Sequence, residues 1–430
     1  MTVPGYPHSH SQPMAGNSGP LRFLVTADSF LPHSGGSRVY YANLYKNLLA
    51  MYPDTMTVLT RKVPGWKEFD RHETGANFRI QRFLKPLPNW KYWQLPKAIP
   101  QLAGEAAHVL AGSYDCLHCG DLFPQGLNGV ALRRLFRLPM LMFCHGDEVS
   151  QTDRRRYQPR VRNFIYRHAD VIIAANQFAY DGLVRIGIPE DRLHKLTPGV
   201  NFEQFYPAPP RRDLIERYGL QGAKVLLTVA RMVPRKGHKI VLEALPQVIR
   251  EVPNLKYLIA GDGPEGPQLQ QQARQLGIQD AVIFAGDIPH GEVCDFYNLC
   301  NVFIMANRLE AGGDVESFGM VFTEANAVGK PVIGGRSGGT AEAVLDGKTG
   351  FLADPGNADE IARRLLQLLK NEDLAASMGA AGMARVRAEF NWSSRAQAVR
   401  QISAEMVMRA RREVQSPAAG VRPEDSGVSA

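Results

Sequence analysis

Short apolar runs alternate with longer amphipathic stretches along most of this 430-residue chain. Such runs predict buried strands, and the stretches between them predict helices. The predicted strands lie at residues 21–27, 56–60, 114–119, 139–144, 170–175, 223–230, 255–261, 281–286, 301–306 and 331–335. Because strands that alternate with helices form parallel sheets covered on both faces, the pattern predicts an α/β fold. Its two series of strands indicate two doubly wound, Rossmann-like domains that face a central cleft, where such sheets bind ligands.

A proline-rich segment, TPGVNFEQFYPAPP, interrupts this alternation at 197–210. It divides the chain into two halves of the size expected for single domains. The predicted units are a disordered N-terminus (1–20), an N-terminal domain (21–198), a linker (199–210), a C-terminal domain (211–390), a last helix (391–412) and a disordered tail (413–430).

The composition is that of an ordinary globular protein, with 44% hydrophobic and 21% charged residues. No apolar run approaches the roughly 20 residues that a membrane-spanning helix needs. The first 20 residues also lack the apolar segment of a signal peptide. We therefore expect a cytoplasmic protein.

Positive charge is concentrated in the first half of the chain. Residues 1–200 contain 24 Lys and Arg against 15 Asp and Glu, a net charge of +9, whereas the remainder contains 26 against 27, a net charge of −1. In the segments 132–139 and 153–168, arginines are mixed with aromatic and aliphatic residues, which suits an anionic membrane surface or nucleic acid. The alternative is a solvated basic face that only improves solubility. An anionic membrane is thus a candidate partner for this half, and we expect no nucleic acid.

Cysteine and histidine occur close together in CLHC (116–119) and again at Cys144 and His145. Such residues at short spacing can hold zinc. Both clusters, however, end apolar runs, in which cysteine commonly packs as a small hydrophobic residue. Because the five cysteines are scattered and odd in number, we expect reduced thiols and no metal site.

Two predicted strand-to-helix connections have features of a phosphate site. Gly35 and Gly36 follow the first strand, where the backbone can approach a ligand closely and helix N–H groups can bind phosphate. Arg231 and Lys236 follow the first strand of the second half, and two cations at that position suit a diphosphate. The alternatives are a tight turn without a ligand and a pair of solvated surface cations.

The segment GDGPEG (261–266) has the form of a G-x-G-x-x-G dinucleotide fingerprint. The fingerprint belongs to the first strand of a domain, whereas this segment follows the second and contains a proline. We therefore do not expect NAD binding.

Glu316 and Glu324 stand eight positions apart around a glycine-bearing turn, in ESFGMVFTE. A helix that begins near Gly319 would place Glu316 just outside it and Glu324 in its second turn. Carboxylates accept hydrogen bonds from sugar hydroxyls, and the free N–H groups of residues 319–321 can donate to phosphate oxygens. The arrangement predicts a nucleotide-sugar pocket, and a surface loop with helix-capping acids is the alternative.

The segments ARMVPRKG, GDGP, AGDIP and ESFGMVFTE, followed by AVGKPVIGGRSGGTAEAV, resemble the retaining glycosyltransferases of family 4, which have the GT-B fold. The resemblance extends over roughly residues 21–405 and is stronger in the C-terminal half. Within the family, GGDVESFG and VPRKG are most similar to the bacterial phosphatidylinositol mannosyltransferases, which use GDP-mannose.

The resemblance implies transfer of a hexose with retention from a nucleotide sugar, GDP-mannose favoured, to a lipid-linked or saccharide acceptor. It implies no tightly bound cofactor and no metal, and the sequence indeed contains no D-x-D. The N-terminal domain would bind the acceptor, the C-terminal domain would bind the donor, and the last helix would return to the N-terminal domain. A UDP-sugar donor stays open.

The resemblance also assigns roles to single residues. Arg231 and Lys236 would bind the donor diphosphate, Glu316 the hydroxyls of the transferred sugar, and Glu324 the ribose. His145, in CHGDE, would contact the donor sugar near the reaction centre, so the catalytic set is His145, Arg231, Lys236 and Glu316. The further donor-binding positions are Gly35, Gly36, Gly263, Ile288, Phe318, Gly319, Met320 and Val321.

The sequence leaves the acceptor open. Trp90, Tyr92 and Trp93 stand among lysines in a proline-framed segment (84–100) that could enter a membrane interface or stack on an acceptor sugar. The alternative is an aromatic cluster that packs on its own domain.

Two other classes of protein remain as rivals. A UDP-sugar epimerase or a phosphorylase also has two such domains, although a phosphorylase is expected to carry a pyridoxal lysine, for which no signature is present. A two-lobed receptor without catalysis is the second rival, but it has no need of cations that stabilise a leaving group.

Overall fold

The computed structural model describes residues 19–28, 30–32, 35–84, 95–150, 159–311 and 313–415. Four expectations therefore lie mainly outside the described residues. They concern the disordered N-terminus (1–20), the aromatic segment with Trp90, Tyr92 and Trp93, the arginine-rich residues 153–158, and the tail after 415.

The first described sheet is entirely parallel. Its strands are β1 (Arg22–Thr26), β2 (Thr55–Arg61), β3 (Phe78–Leu84), β4 (Cys116–Cys119), β5 (Met140–Cys144), β6 (Val171–Ala174) and β7 (Leu193–Lys195). They lie in the order β3-β2-β1-β4-β5-β6-β7, with Phe23 of β1 paired to Met56 on one side and Cys116 on the other. Every residue of β5 is buried, as expected for a strand covered on both faces.

The second described sheet is built in the same way. Its strands are β8 (Lys224–Val229), β9 (Leu255–Ala260), β10 (Val282–Gly286), β11 (Val302–Met305), β12 (Val332–Gly335) and β13 (Gly350–Ala353). Their order is β10-β9-β8-β11-β12-β13, and all the pairs are parallel. The strand order reverses at β1/β4 in the first sheet and at β8/β11 in the second, which are the points where such sheets bind ligands.

Helices connect the strands and cover both sheets. The helices of the first half are α1 (Gly36–Met51), α2 (Trp66–Glu73), α3 (Leu95–Ala111), α4 (Leu127–Phe136), α5 (Asp147–Ser150), α6 (Pro159–His168) and α7 (Gln177–Arg185). Those of the second half are α8 (Arg212–Arg217), α9 (His238–Glu251), α10 (Gly266–Gln275), α11 (Val293–Leu299), α12 (Met320–Ala327), α13 (Thr340–Ala343), α14 (Ala358–Lys370), α15 (Glu372–Glu389) and α16 (Trp392–Gln415). Short helical turns lie at Leu122–Gly126, Glu190–Arg192, Pro234–Lys236, Gln279–Ala281 and His290–Glu292.

This architecture confirms the predicted fold class of two parallel-sheet α/β domains. The exact division at 198 and 211 stays a prediction, although residues 196–211 contain no strand or helix. The strands missing from the prediction are β3, β7 and β13, and each is an outer strand of its sheet. An outer strand has one neighbour, so its sequence needs no continuous apolar run, as FRIQRFL in β3 illustrates.

The last helix, α16, packs on the first sheet. Trp392 and Val399 belong to the same buried cluster as Phe23 and Tyr40. Near its middle, the Ser403 hydroxyl lies 3.0 Å from Nε2 of His118 in β4. The helix thereby ties the C-terminal end of the chain to the N-terminal core, and it ends three residues beyond the predicted limit of 412.

None of the helices within the described ranges combines the length and the apolar character that crossing a bilayer requires.

Candidate active site

A cleft of about 360 Å³ lies where the carboxyl ends of the two sheets face each other. The first sheet contributes the loops after β1, β4, β5, β6 and β7, and the second contributes the loops after β8 and β11. The lining residues are Asp28, Gly36, Ser37, Arg38, Tyr40, Asp121, His145, Asp147, Glu148, Ala175, Asn176, Pro198, Arg235, Glu316, Ser317, Phe318, Gly319 and Met320. The cleft thus coincides with the strand-order reversals of both sheets.

Two cations hold the Glu316 carboxylate on the wall formed by the second sheet. Its Oε2 accepts hydrogen bonds from Lys236 Nζ and, at 2.6 Å, from Arg235 Nη1. The side chains of Lys236 and Glu316 are only 12% and 13% exposed, so water screens their charges weakly. Burial acts to raise the pKa of the Glu316 carboxyl, but Lys236 and Arg235 outweigh it and keep the pKa below its usual value. The group is therefore an ionised carboxylate beside two positive charges.

Helix α12 begins at Met320, as predicted, after Gly319 in a left-handed conformation with φ 82°. A side chain at Gly319 would lie 2.7 Å from the Phe322 ring, which is too close. Glu324 lies in the second turn, and its Oε2 accepts a hydrogen bond from Tyr297 Oη at 2.8 Å. Burial raises the pKa of Glu324 to about 7. The helix start therefore offers free backbone N–H groups between two glutamates.

His145 follows β5 on the opposite wall of the cleft. Its backbone N–H donates to Glu148 Oε2 at 3.1 Å, and its carbonyl accepts from Asn176 Nδ2 at 3.0 Å. The ring nitrogen Nε2 lies 2.6 Å from Tyr41 Oη. Because burial lowers the pKa of His145 to about 4, the imidazole is neutral near pH 7.

The structure brings His145, Gly36, Glu316, Phe318, Gly319 and Met320 together in the cleft lining. The predicted site residues outside this lining are Gly35, Arg231, Lys236, Gly263, Ile288, Val321 and Glu324. Lys236 nevertheless reaches the cleft through its bond to Glu316.

The Arg231 side chain is exposed, and its carbonyl accepts a hydrogen bond from His238 Nε2 at 3.2 Å. Arg231, Gly263 and Ile288 follow β8, β9 and β10, which are neighbours, so they lie along the same edge of the second sheet. At Gly263 a Cβ would lie 2.4 Å from the carbonyl oxygen of Met232, which explains the glycine by close approach of two loops.

Six charged residues of the cleft are not among the sequence predictions, namely Asp28, Arg38, Asp121, Asp147, Glu148 and Arg235. Asp28, Asp121 and Asp147 follow β1, β4 and β5, which are adjacent strands, and Arg38 lies in the first turn of α1. Asp121 Oδ2 accepts the Asp28 N–H at 2.7 Å, and burial together with the Asp28 charge raises the pKa of Asp121 to about 6. One aspartate placed soon after each of three strand ends was the signal that could have revealed the three aspartates.

The two walls of the cleft also touch each other. Ser317 Oγ donates to Asp147 Oδ1 at 3.3 Å. Beside the cleft, Glu342 Oε2 accepts the backbone N–H of Gln177 at 2.6 Å, and its Oε1 accepts from Lys195 Nζ at 3.0 Å. One glutamate of the second half therefore contacts two groups of the first.

The cysteines near His118 are buried in strands β4 and β5 of the first sheet and do not surround a metal site. Burial raises the pKa of Cys116, Cys119 and Cys144, so their thiols stay protonated. His118 bonds to Tyr45 Oη through Nδ1 at 3.1 Å and lies 3.0 Å from Ser403 through Nε2. Within the described ranges, His, Cys, Asp and Glu form no group of three that could hold a metal ion.

Both halves of the chain match known protein families. Residues 34–204 match the sequence profile of Glycosyltransferase Family 4, and residues 211–385 match that of Glycosyl transferases group 1. A GDP-mannose-dependent alpha-(1-6)-phosphatidylinositol monomannoside mannosyltransferase of Mycolicibacterium smegmatis is 33% identical over 376 residues, which cover 86% of this chain and 95% of the relative. The protein of the same description from Mycobacterium tuberculosis is 31% identical, covering 87% and 95%.

Among solved structures, sucrose-phosphate synthase from Thermosynechococcus elongatus matches with a TM-score of 0.75 at 23% identity, covering 90% of this chain and all of that one. Anabaena HepE, solved with UDP-glucose, matches with a TM-score of 0.73 at 20% identity and covers the same shares. These likenesses establish the GT-B fold. Together with the sequence relatives, they show that this chain belongs to the family 4 glycosyltransferases.

Proposed function

We propose that the protein transfers a hexose, with retention and without a metal ion, from a nucleotide sugar to a lipid-linked or saccharide acceptor. GDP-mannose is the favoured donor because the relatives at 31–33% identity over most of their length are described as GDP-mannose-dependent. The observation that carries the proposal is the convergence of Lys236 and Arg235 on Glu316, next to the start of α12.

These groups match the parts of a nucleotide sugar. A diphosphate carries negative charge that Lys236, Arg235 and the N–H groups of α12 can stabilise. Glu316 can accept hydrogen bonds from the hydroxyls of the transferred sugar, and Glu324 can do the same for the ribose. Arg231 follows β8, as Lys236 does, and would be a further ligand of the diphosphate.

The proposed reaction is a front-face displacement, which membership of a family of retaining enzymes implies. The acceptor oxygen attacks the anomeric carbon from the face that the diphosphate leaves, and the carbon–oxygen bond to the phosphate breaks as the new glycosidic bond forms. The acceptor proton passes to a phosphate oxygen of the leaving nucleoside diphosphate. Lys236 and Arg235 stabilise the charge that develops on that phosphate, which is the role of preorganised donors in such sites.

For the acceptor, we propose a lipid-linked molecule reached at an anionic membrane surface. A mainly apolar groove of about 460 Å³ lies between α3, α4 and α6 and is lined by Ile99, Leu102, Arg134 and Phe164, among others. Ile99 is 64% exposed, and Leu135 nearby on α4 is 69% exposed. Exposed apolar residues beside arginine, in the half with net charge +9, suit an anionic interface.

The membrane part is tested by sedimentation with vesicles. Binding to vesicles that contain anionic lipid, and loss of binding in Ile99→Asp, are expected. Equal sedimentation with neutral and anionic vesicles, or with the variant, contradicts the proposed surface.

The donor is tested by thermal shift without added metal, using GDP, UDP, ADP and their sugar conjugates, since a ligand of the native state raises its stability. Selective stabilisation by GDP and GDP-mannose is expected, followed by product whose anomeric configuration matches that of the donor. A response to UDP-sugars alone would replace the donor, and no response to any nucleotide would overturn the proposal.

A further inference from the structure

We propose that Tyr41 is a positioning residue that fixes the tautomer of His145, so that His145 Nδ1 can only accept a hydrogen bond from a hydroxyl of the transferred sugar. The proposal rests on the proposed function for the presence of that sugar. The state of the imidazole itself, however, follows from contacts in the ligand-free chain.

The Tyr41 hydroxyl lies between two groups and has one hydrogen. Tyr41 Oη is 2.6 Å from the carbonyl oxygen of Gly120 and 2.6 Å from His145 Nε2. A carbonyl oxygen only accepts, so the tyrosine hydrogen must go to Gly120. The contact with His145 is then a hydrogen bond only if Nε2 carries a hydrogen and donates it to Tyr41 Oη. A neutral imidazole has one N–H, so Nδ1 has a lone pair and no hydrogen.

The surroundings hold this arrangement in place. Tyr41 is buried, with 2% of its surface exposed, and its ring meets Phe143 edge to face at 5.2 Å. A Cβ added to Gly120 would lie 2.9 Å from the Tyr41 ring, so the ring rests directly on that backbone. His145 is stacked on Phe143 and is fixed by both of its peptide groups. Since the hydroxyl has little freedom to move, its choice of partner is set by the fold.

The consequence concerns the sugar. His145 lines the cleft, and within the described residues no hydrogen bond engages its Nδ1. A hydroxyl group can donate to that nitrogen, whereas a group that only accepts, such as a carbonyl or an ether oxygen, cannot bond to it. Tyr41 therefore contributes to donor specificity without contacting the donor.

The variant Tyr41→Phe removes the hydroxyl and keeps the ring. It frees His145 to place its hydrogen on Nδ1, where the ring would offer a donor in place of an acceptor. We expect kcat/KM with GDP-mannose to fall about 2- to 12-fold, the equivalent of one neutral hydrogen bond. We also expect the variant to accept a monodeoxyfluoro form of GDP-mannose that the wild type discriminates against, because fluorine only accepts and so can bond to Nδ1–H but not to Nδ1 without a hydrogen.

The matched control is Tyr45→Phe. Tyr45 lies one turn further along α1, is equally buried and also bonds to a histidine, with its hydroxyl 3.1 Å from His118 Nδ1. That histidine is not among the residues that line the cleft. Tyr45→Phe should therefore lower stability to a similar degree and leave both the His145 tautomer and the discrimination between donors as in the wild type.

The decisive measurement is the His145 tautomer by ¹⁵N–¹H correlation NMR in the ligand-free protein, with His145→Gln used to assign the signal. The proposal is supported if the wild type has the Nε2–H tautomer and Tyr41→Phe loses both that tautomer and the discrimination against the monodeoxyfluoro donor. A wild-type Nδ1–H tautomer, or a variant that matches the wild type in both readouts, overturns it. If the wild type shows the Nε2–H tautomer but uses no GDP-mannose, the proposed donor has failed, and the sugar part of the inference fails with it.

Discussion

Replacing Lys236 with alanine separates the role of this cation in the reaction from its role in stability. In the structure Lys236 Nζ and Arg235 Nη1 share one oxygen of Glu316. Lys236→Ala therefore leaves the buried carboxylate with its bond to Arg235 at 2.6 Å. Glu316→Ala, in contrast, leaves Lys236 without its carboxylate partner. The Lys236 side chain is only 12% exposed.

The two variants differ in the expected magnitude of each effect. Leaving a buried charge without its partner costs about 3–5 kcal/mol, so Glu316→Ala should lose about that much in the free energy of unfolding. Because Glu316 keeps Arg235, Lys236→Ala should lose only about 1–2 kcal/mol. Its rate, however, should fall about 10²- to 10³-fold, which is typical when one preorganised donor to developing charge is removed.

The assay compares initial rates of sugar transfer with urea denaturation of the same preparations. Lys370→Ala is the matched control, since Lys370 forms a surface pair with Glu251 at 2.7 Å and is 55% exposed, and such pairs contribute about 0–1 kcal/mol. A Lys236→Ala rate within about threefold of the wild type would refute the assignment of Lys236 to the leaving phosphate. If Lys236→Ala lost as much unfolding free energy as Glu316→Ala, Arg235 would not be sufficient to stabilise the buried Glu316 carboxylate, contrary to this prediction.

Three further predictions follow from the site and its supports. Glu324→Ala should weaken GDP binding about 10- to 100-fold, the equivalent of one charged hydrogen bond, while the protein stays folded; titration calorimetry that gives an unchanged Kd would contradict the ribose assignment. Glu342→Ala removes the contacts to Gln177 and Lys195, so the ligand-free protein should have a larger radius of gyration in X-ray scattering, and an identical scattering curve would argue against a contact that holds the cleft closed. Burial lowers the pKa of His118 to about 3, so the native state binds fewer protons than the unfolded chain below about pH 6.5, and the free energy of unfolding should fall as the pH drops from 6.5 toward 3. The dependence of Tm on pH should be flatter in His118→Gln, and an equal slope in both proteins would refute this source of acid sensitivity.

Much of the fold could be predicted from the sequence because the central strands of a parallel sheet are buried on both faces. Burial of that kind requires continuous apolar runs such as MLMFC in β5, and these are visible without any structure. The outer strands β3 and β7 lack such runs, because a strand with one neighbour is less constrained in composition. The sequence pattern therefore predicted the central strands of both sheets but not all of the outer strands.

The candidate site divides along a similar line. The turn at Gly319 and the placement of Glu324 in the second turn of α12 were determined by local sequence, since a left-handed glycine and a helix period fix them. The sequence could not decide which of the neighbouring cations reaches Glu316. Arg235 and Lys236 do so, while the Arg231 side chain is exposed. Side-chain direction at a loop depends on the strand that packs beside it, and that information is tertiary.

The sequence by itself determined two parallel sheets, a nucleotide-sugar motif and the residues at several strand ends. Only the tertiary structure decided that Asp28, Asp121 and Asp147 share the cleft with that motif, and that the Tyr41 hydroxyl lies between Gly120 and His145. The local spacing of apolar residues indicates which face of a helix or strand is buried, because apolar side chains are the ones that leave water. Which groups meet across a cleft depends on the order of the strands and on distances between residues far apart in the chain, and these are fixed only when both sheets pack.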